Sequence, residues 1–245
     1  MMKFGLIGYP VVHSFSKKYF TEKFEKEGID AVYDLYPLER IELFKELIAS
    51  QTLTGLNVTI PHKQTVIPFL DELDATAAEI GAVNVIKFGR DQGGLKLKGY
   101  NTDAIGFENS IKPLLKPHYR KALILGTGGA SKAIDYALRK NGIDTTFVSR
   151  SGSANQLAYG DLTHEMMKDF PVIVNCTPLG MDPAIEGYPA IPYAAIGSGH
   201  LLYDVVYKPE ETVFLRKGKE QGATTINGLE MLWGQAEAAW KIWNQ

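Results

Sequence analysis

The residues best suited to bind an anionic cofactor form a glycine-rich segment, Gly126-Thr127-Gly128-Gly129, in the middle of the chain. An apolar run typical of a strand precedes these glycines, and a helical pattern follows them. Glycines let a backbone turn tightly and approach a pyrophosphate, and a helix start offers N–H groups to that anion. Ser131 replaces the third glycine of the common spacing, yet the strand–glycine–helix context favours a dinucleotide site over a structural turn.

The end of the next predicted strand indicates which dinucleotide binds. An acidic residue there would accept a hydrogen bond from the ribose of NAD, whereas an arginine suits the 2′-phosphate of NADP. The sequence at this point reads Ser149-Arg150-Ser151 and contains no acid. The segment therefore favours NADP(H); the simpler interpretation is an arginine on a solvated loop.

A second segment, GLNVTIPHK at residues 55–63, places polar groups on and just after an apolar strand. Asn57 and Thr59 lie on the face opposite the apolar side chains. Pro61 ends the predicted strand because it has no N–H to donate, and Lys63 follows. Taken alone, the segment is best interpreted as an amphipathic strand with a surface lysine after it. The alternating apolar residues are Leu56, Val58 and Ile60.

Four more polar residues stand where predicted strands end or helices begin: Ser14, Ser16, Asn84 and Asp103. Each one alone is readily explained as a helix cap or a turn residue. Binding sites of α/β proteins form outside the carboxyl ends of the strands, so the joint occurrence of these residues there favours a site.

The elements that position these candidate residues are short apolar strands that alternate with helical patterns. Such alternation indicates parallel βαβ units and an α/β fold. We predict helices at residues 39–50, at Gly129–Asn141 and from Gly228 to about Trp243, and a turn at Asp91–Gly94. The predicted strands are Lys3–Gly8, Ala31–Tyr36, Gly55–Ile60, Val83–Phe88, Lys121–Leu125, Thr145–Ser149, Pro171–Cys176 and His200–Val206.

Composition narrows the class of protein. The chain has 245 residues, 45% of them hydrophobic, which is enough for one large or two modest domains. The net charge of -2 and the absence of a basic block argue against nucleic acid and anionic membranes as partners. Cys176 is the single cysteine, and no histidines have a metal-ligand spacing, so we expect no disulfide framework and no metal. We expect a cytoplasmic protein.

The motifs, taken together, resemble those of the shikimate dehydrogenase family. They occur in the family's order over nearly the whole chain, and as a set they are highly specific. The resemblance implies NADPH-dependent, reversible reduction of 3-dehydroshikimate to shikimate, a step of aromatic amino-acid biosynthesis. The matching segments read GYPVVHSFS, LNVTIPHK, GAVNV, GYNTDAIGF, LGTGGASKA, NCTPLGM, DVVY and NGLEMLWGQA.

The resemblance assigns roles residue by residue. Lys63 and Asp103 match the family's catalytic pair, in which the lysine exchanges a proton with the substrate. The positions that match substrate-binding residues are Ser14, Ser16, Asn57, Thr59, Asn84, Tyr207 and Gln235, together with Lys63 and Asp103. The positions that match cofactor-binding residues are Gly126, Thr127, Gly128, Gly129, Ala130, Ser149, Arg150, Ser151, Val205, Gly228 and Met231.

The chain departs from the family pattern in three places. After Ser16 the family usually reads Pro-x-x-His-Asn, whereas this chain has Lys17 to Thr21. The second basic residue that usually follows Arg150 is missing, and the segment before Pro171 is short. The first departure affects how the first helix begins, and the other two weaken the expected preference for NADP.

The resemblance also implies a domain organisation: a substrate domain of residues 1–103 and 228–245, and a Rossmann-like NADP domain of residues 104–227, with the last helix returning to the substrate domain. A monomer or a homodimer is expected. Two alternatives stay open. One is a relative with broader use of quinate or of NAD, and the other is a non-catalytic small-molecule sensor on the same fold, against which the presence of both Lys63 and Asp103 argues.

Overall fold

The computed structural model describes residues 1–12, 14–91 and 94–245, and these form two compact units. The first unit comprises Met1–Thr102 and Gln235–Gln245, and the second comprises Asp103–Gly234. The division predicted from the sequence differs from this one mainly along the last helix, because it gave residues 228–234 to the first domain. The predicted turn at Asp91–Gly94 includes residues 92 and 93, which lie outside the described residues.

The first unit is an α/β structure in which each predicted strand of the sequence is present. It begins with a parallel βαβ element, as the alternating pattern predicted. Its strands are β1 (Met2–Gly8), β2 (Ala31–Pro37), β3 (Gly55–Val58), β4 (Glu72–Leu73), β5 (Val85–Asp91) and β6 (Gly94–Tyr100). Its helices are α1 (Phe15–Glu27), α2 (Phe44–Ser50) and α3 (Ala75–Ile80), with short 3₁₀ turns at Ile41–Leu43 and Ile67–Phe69.

The strands form one mixed sheet in the order β2-β1-β3-β5-β6-β4. β1 pairs in parallel with β2 and β3, whereas β5 is antiparallel to both β3 and β6. Phe4 and Leu6 pack on one face of the sheet with residues of α1, and Ile7 packs on the other face with residues of α2 and α3. Both faces are therefore covered, and the sheet is mixed rather than purely parallel.

The segment that carries Lys63 differs from the prediction. β3 ends at Val58, and all of its residues are buried, including Asn57. Ile60 was expected to face the core, but it is 70% exposed. The alternation stops because the chain leaves the sheet after Val58 and turns, with the backbone N–H of His62 donating to the carbonyl of Thr59 at 2.9 Å. Asn57 is thus a buried polar residue in a central strand, and not part of a solvated face.

The second unit holds the predicted glycine-rich segment. Its strands are β7 (Lys121–Leu125), β8 (Asp144–Ser149), β9 (Gln156–Ala158), β10 (Val172–Asn175), β11 (Leu201–Asp204) and β12 (Thr224–Ile226). Its helices are α4 (Asp103–Ile111), α5 (Gly129–Lys140), α6 (His164–Met167), α7 (Val213–Glu220) and the start of α8 (Leu229–Trp243), with 3₁₀ turns at Lys112–Leu114, Tyr159–Asp161 and Tyr193–Ala195.

These six strands form a parallel sheet in the order β12-β11-β10-β7-β8-β9. Numbered along the chain within the unit, the order is 3-2-1-4-5-6 from β9 to β12, which is that of the Rossmann dinucleotide-binding fold. α4 and α5 pack on one face of the sheet, and α6 and α7 pack on the other. The strand order reverses between β7 and β10, and folds of this type bind their ligand outside the carboxyl ends of the strands at that point.

The last helix, α8, begins in the second unit and continues into the first. In the first unit Ala236, Ala239 and Trp243 belong to the core cluster that includes Phe4. The Trp243 indole donates to the carbonyl of Ile86 at 3.1 Å. A Cβ atom at Gly55 would overlap this indole, so the absence of a side chain at Gly55 leaves room for Trp243. As predicted, the helix returns to the first unit.

Among the described residues, no helix is long and apolar enough to cross a membrane. No cluster of three or more His, Cys, Asp and Glu side chains suited to a metal ion occurs in this part of the chain either.

Candidate functional site

Ser14 and Ser16 lie at the start of α1 in the first unit. The backbone N–H of Lys17 donates to Ser14 Oγ at 3.2 Å, so Ser14 is the N-cap of the helix. The Ser16 hydroxyl, in the first turn of the helix, lies near the phenol of Tyr33 and lowers the pKa of Tyr33 in part, against the larger effect of burial. The entry of α1 is therefore well formed although the family's usual proline is replaced by Lys17, whose Nζ lies 3.2 Å from Asp34 Oδ1.

The amide of Asn57 has its orientation fixed by two neighbours. Its Nδ2 donates to the backbone carbonyl of Asn84 at 3.3 Å, and its Oδ1 accepts from the Tyr33 hydroxyl at 2.7 Å. A carbonyl can only accept, so the nitrogen of Asn57 must face Asn84 and Tyr33 must be the donor. Burial raises the pKa of Tyr33, which keeps its proton on the phenol. Tyr33 thus holds the amide of Asn57 in place.

Asn84 joins three segments of the first unit. Its Nδ2 donates to Thr102 Oγ1 at 2.9 Å and to Gln235 Oε1 at 3.4 Å. Its Oδ1 accepts from the backbone N–H of Thr102 at 2.7 Å. A continuous series of hydrogen bonds, here called the polar chain, therefore runs from β2 to α8 and includes predicted substrate residues. Its members are Tyr33, Asn57, Asn84, Thr102 and Gln235.

Two members of the polar chain were not predicted from the sequence. Tyr33 lies in β2, where its neighbours are half-buried, and is itself 1% exposed, so its pattern is that of an ordinary core aromatic. Thr102 directly precedes the predicted catalytic Asp103, and this adjacency is a signal that sequence analysis could have used. Asn101 beside it is also buried and donates to the carbonyl of Ala82 at 2.9 Å.

The backbone around Lys63 is firmly held. The carbonyl of Lys63 accepts from the N–H of Val83 at 2.7 Å. His62, buried in the first unit, has Nε2 at 2.6 Å from the carbonyl of Leu38. Because that carbonyl can only accept, Nε2 carries the proton. His62, to which the sequence assigned no role, therefore anchors the turn that presents Lys63, and the half-buried Thr59 opens this turn.

Asp103 is buried and begins α4 in the second unit. It is covalently preceded by Thr102, whose N–H and hydroxyl are both bound to Asn84 in the first unit. The acid is therefore one residue away from a backbone position that the polar chain fixes.

The glycine-rich segment has the conformation that an anion site requires. Gly126 has φ 104°, a left-handed conformation that favours glycine, and a Cβ there would lie 3.2 Å from Thr177 Cγ2. Gly128 is the N-cap of α5 and offers no side chain to the first-turn N–H groups. Thr127 and Gly128 are exposed, and Ser131 is fully buried with its Oγ donating to the carbonyl of Gly128 at 2.6 Å. These features fit a dinucleotide pyrophosphate.

The end of β8 leaves a guanidinium at the surface. Ser149 Oγ accepts from the backbone N–H of Gly152 at 3.1 Å, which closes the turn around Arg150 and Ser151. Arg150 is exposed and forms no ion pair with another described residue. Its charge is thus available to a ligand phosphate.

The predicted nicotinamide-side residues lie together in the second unit. The N–H of Val205 donates to the carbonyl of Asn175 at 3.0 Å. A Cβ atom at Gly228 would overlap the carbonyl of Val205, so these two segments touch through their backbones. Met231 is buried in the core cluster of this unit. Tyr207 follows Val205 by two residues, and partial burial raises the pKa of its phenol.

A family model matches most of the first unit, and known proteins match nearly the whole chain. The model of the "Shikimate dehydrogenase substrate binding domain" matches residues 6–86. A shikimate dehydrogenase (NADP(+)) from Methanosphaera stadtmanae is 38% identical over 97% of this chain and 89% of its own length. The chain belongs to the shikimate dehydrogenase family.

Solved structures of shikimate dehydrogenases have the same fold. The enzyme from Aquifex aeolicus aligns with a TM-score of 0.86 at 36% identity, covering 100% of this chain and 92% of the other. The shikimate 5-dehydrogenase from Thermus thermophilus, in complex with NADP(H) and shikimate, aligns with a TM-score of 0.85 at 30% identity, covering 99% of this chain and 93% of the other. As a member of the shikimate dehydrogenase family, the chain thus combines a substrate-binding domain with a Rossmann-like domain.

Proposed function

We propose that this protein catalyses the reversible reduction of 3-dehydroshikimate to shikimate with NADPH, in the biosynthesis of aromatic amino acids. The observation that carries the proposal is the nearly full-length similarity to a relative named shikimate dehydrogenase (NADP(+)). The glycine-rich segment, the exposed Arg150 and the polar chain give this chain the parts that the reaction needs.

NADP(H) supplies or accepts the hydride when it is bound. Gly126 to Ala130 hold the pyrophosphate by backbone N–H groups at the start of α5. Arg150 pairs with the 2′-phosphate, and the hydroxyls of Ser149 and Ser151 lie beside it in sequence. Val205, Gly228 and Met231 form the nicotinamide side.

Lys63 is the general acid and base in this proposal. In the reductive direction its ammonium gives a proton to the carbonyl oxygen as the hydride arrives, and its charge stabilises the developing alkoxide. In the oxidative direction the neutral amine takes the proton back. Asp103 accepts a hydrogen bond from the reacting hydroxyl group, which orients the substrate. The firmly held backbone of Lys63 supports this role because a misplaced proton donor loses rate steeply.

The remaining residues bind a small, polyhydroxylated acid. Ser14 and Ser16 bind its carboxylate with hydroxyl and backbone donors. The hydroxyl groups of the ring are bound by neutral donors and acceptors, and a site that pairs each hydroxyl rejects analogues that lack one. These donors and acceptors belong to Asn57, Thr59, Asn84, Tyr207 and Gln235. The first unit is accordingly the main substrate domain, the second binds NADP, and the enzyme acts in the cytoplasm as a monomer or a homodimer.

A spectrophotometric assay of NADPH tests the proposal directly. We expect oxidation of shikimate with NADP as the preferred cofactor, and much weaker activity with quinate or with NAD. Turnover of quinate and NAD at equal or higher kcat/KM would favour the broader relative. No turnover of any pair, with normal binding of shikimate, would favour a sensor.

A further inference from the structure

Asp204, the last residue of β11, is a fully buried carboxylate to which the proposed reaction gives no role. Its Oδ1 accepts from Asn175 Nδ2 at 3.0 Å and from the backbone N–H of Val206 at 3.0 Å. Its Oδ2 accepts from the hydroxyl of Thr212, the N-cap of α7, at 2.6 Å. One side chain therefore joins the end of β10, the loop after β11 and the start of α7.

The two partners of Oδ1 are constrained to donate. Asn175 Oδ1 accepts the N–H of Thr177 at 3.0 Å, so its nitrogen faces Asp204. The Val206 N–H can only donate. Thr212 Oγ1 also accepts the capping N–H of Leu215 at 3.4 Å and donates its proton to the acceptor-only carboxylate. The Oδ1 position therefore requires an oxygen that accepts from both loops at once.

The hydrogen bonds of Asp204 extend through Asn175 to a residue that contacts the glycine-rich segment. Asn175 Oδ1 accepts both from the N–H of Thr177 at 3.0 Å and from its hydroxyl at 2.6 Å. The Thr177 methyl group lies against Gly126, at 3.2 Å from the position of a Cβ there. β7 and β10 are neighbours in the sheet at the point where the strand order reverses. Asp204 thus fixes, through Asn175, the loop that borders the pyrophosphate segment.

The hydrogen bonds of Asp204 also extend through Val206 to the proposed nicotinamide-side residues. The Val206 carbonyl accepts from the N–H of Gly228 at 3.3 Å, while the Val206 N–H is held by Asp204. The adjacent Val205 carbonyl lies directly against the Cα of Gly228. The loop after β11 and the residue before α8 therefore keep their positions relative to the same buried carboxylate.

We propose that Asp204 is a positioning residue of the cofactor site, which sets the two loops on either side of the crevice at the switch point so that NADP(H) binds in a preformed site. The role rests on the proposed function, since it concerns the cofactor assigned there. Asp204 touches neither ligand; it acts through Asn175 and Val206.

The test compares binding of the two ligands. Asp204→Ala removes both carboxylate oxygens, and the loops lose their common acceptor. We expect the Kd of NADPH, measured by calorimetry on the full chain, to rise by about tenfold or more, the effect of losing one charge-assisted hydrogen bond. The Kd of shikimate should stay within about twofold. Asn175→Ala should have a similar effect, and the double variant should be little worse than Asp204→Ala, because the carboxylate acts through Asn175.

Thr212→Val is the matched control. It removes one hydrogen bond to Asp204 on the α7 side and leaves both loop contacts, so it should lower Tm while the Kd of NADPH hardly changes. If Asp204→Ala and Asn175→Ala also lower only Tm, with NADPH binding within about twofold of the parent, Asp204 is merely structural and the proposal is wrong.

Two further outcomes remain decisive. If Asp204→Ala does not fold, Asn175→Ala alone decides, since it cuts the same link and keeps the carboxylate. If the parent protein binds no NADPH in the same calorimeter, the proposed function fails, and the positioning role fails with it.

Discussion

At the scale of single residues, Lys63 is the most direct test of the chemistry. Lys63→Ala should lower kcat by about 10²–10⁴-fold with a much smaller rise in KM, because proton transfer counts most in the transition state. Steady-state kinetics with shikimate and NADP measure both. Lys18→Ala, at an exposed lysine of α1 paired with Glu22, is the control. A Lys63→Ala variant that binds NADPH normally and keeps a rate within a few-fold of the parent would refute the mechanism.

Arg150 is the residue on which cofactor choice depends. Arg150→Ala should raise KM for NADP much more than KM for NAD, because only NADP has a phosphate for the guanidinium to pair with. The ratio of the two kcat/KM values is the measurement. Arg139→Ala, at an exposed arginine near the end of α5, should leave that ratio unchanged. Equal losses with both cofactors would show that Arg150 supports the fold instead.

Tyr33 tests the polar chain. Tyr33→Phe keeps the ring that stacks on Phe20 at a centroid distance of 4.9 Å but leaves Asn57 Oδ1 without its donor. We expect a loss of about 1–3 kcal/mol of stability from the unsatisfied buried oxygen, and weaker binding of shikimate because the amide of Asn57 loses the partner that fixes it. Denaturant unfolding and calorimetry measure the two effects. Unchanged shikimate binding would make the polar chain a structural network only.

It was easier to predict which residues belong to the candidate site than to predict their hydrogen-bond partners. Lys63, Asp103 and Arg150 belong to local motifs, so their spacing in the sequence is informative. Tyr33 is different, because a tyrosine in a strand has the same sequence pattern whether its hydroxyl meets a site residue or water. Its partner Asn57 lies in another strand, and only the register of the sheet brings the two together.

At the scale of elements, the start of α1 combines two roles in Ser14. As an N-cap it stabilises the helix, and Ser14→Ala should cost about 1 kcal/mol of stability on that ground alone. Ser14→Gly retains most of the capping preference, so it should cost only a few tenths of a kcal/mol. If Ser14 also binds the substrate carboxylate, both variants should raise the Kd of shikimate alike.

The comparison of these two variants separates the roles. A rise in Kd that follows the loss of stability, large for alanine and small for glycine, would mean that Ser14 is a cap and that the carboxylate site lies elsewhere. Thermal unfolding of both variants supplies the stability scale.

Long apolar strands and capped helices were predictable, and short or irregular ones were not. The helix at Gly129–Lys140 follows from its glycine N-terminus and its periodicity. β9 and β12 have three residues each and no distinctive pattern, so their place in the sheet depends on neighbours far away in sequence. Ile60 was wrongly assigned to the core because alternation continued in the sequence after the chain had left the sheet.

At the scale of the whole molecule, the titration of Asp204 should make the free energy of unfolding depend on pH. Burial raises the pKa of this carboxyl from 3.8 to about 6, although the hydrogen bonds of Thr212, Val206 and Asn175 lower it in part. The folded state therefore holds the proton at a pH where the unfolded chain has lost it. The stability that this group contributes is fully present below about pH 4 and is lost as the pH rises through about 6.

The expected size is about 3 kcal/mol, since one pKa unit corresponds to about 1.4 kcal/mol. The free energy of unfolding of the parent, minus that of Asp204→Asn, should fall by up to this amount between about pH 4 and pH 7. Denaturant titrations of both proteins at several pH values measure the difference. A constant difference across this range would contradict the raised pKa of Asp204.

The fold class was predictable from alternation, but the order of the strands was not. Sequence patterns report local structure and burial, whereas strand order is decided by which crossovers pack best. The glycine-rich segment supplied the missing constraint, because a dinucleotide site at the first βα turn implies the 3-2-1-4-5-6 order that the second unit has. No comparable motif constrains the first unit, whose antiparallel β3–β5 pairing is a finding of the structure.

The indole of Trp243 in the core beside Phe4 has a consequence for how the chain is made. A ribosome synthesises the protein from its N-terminus, so Met1–Thr102 of the first unit are made before the second unit. Its core lacks Ala236, Ala239 and Trp243 while Asp103–Gly234 is synthesised. These residues are available only when Gln235–Gln245 leave the exit tunnel, so the unit that is translated first is completed last.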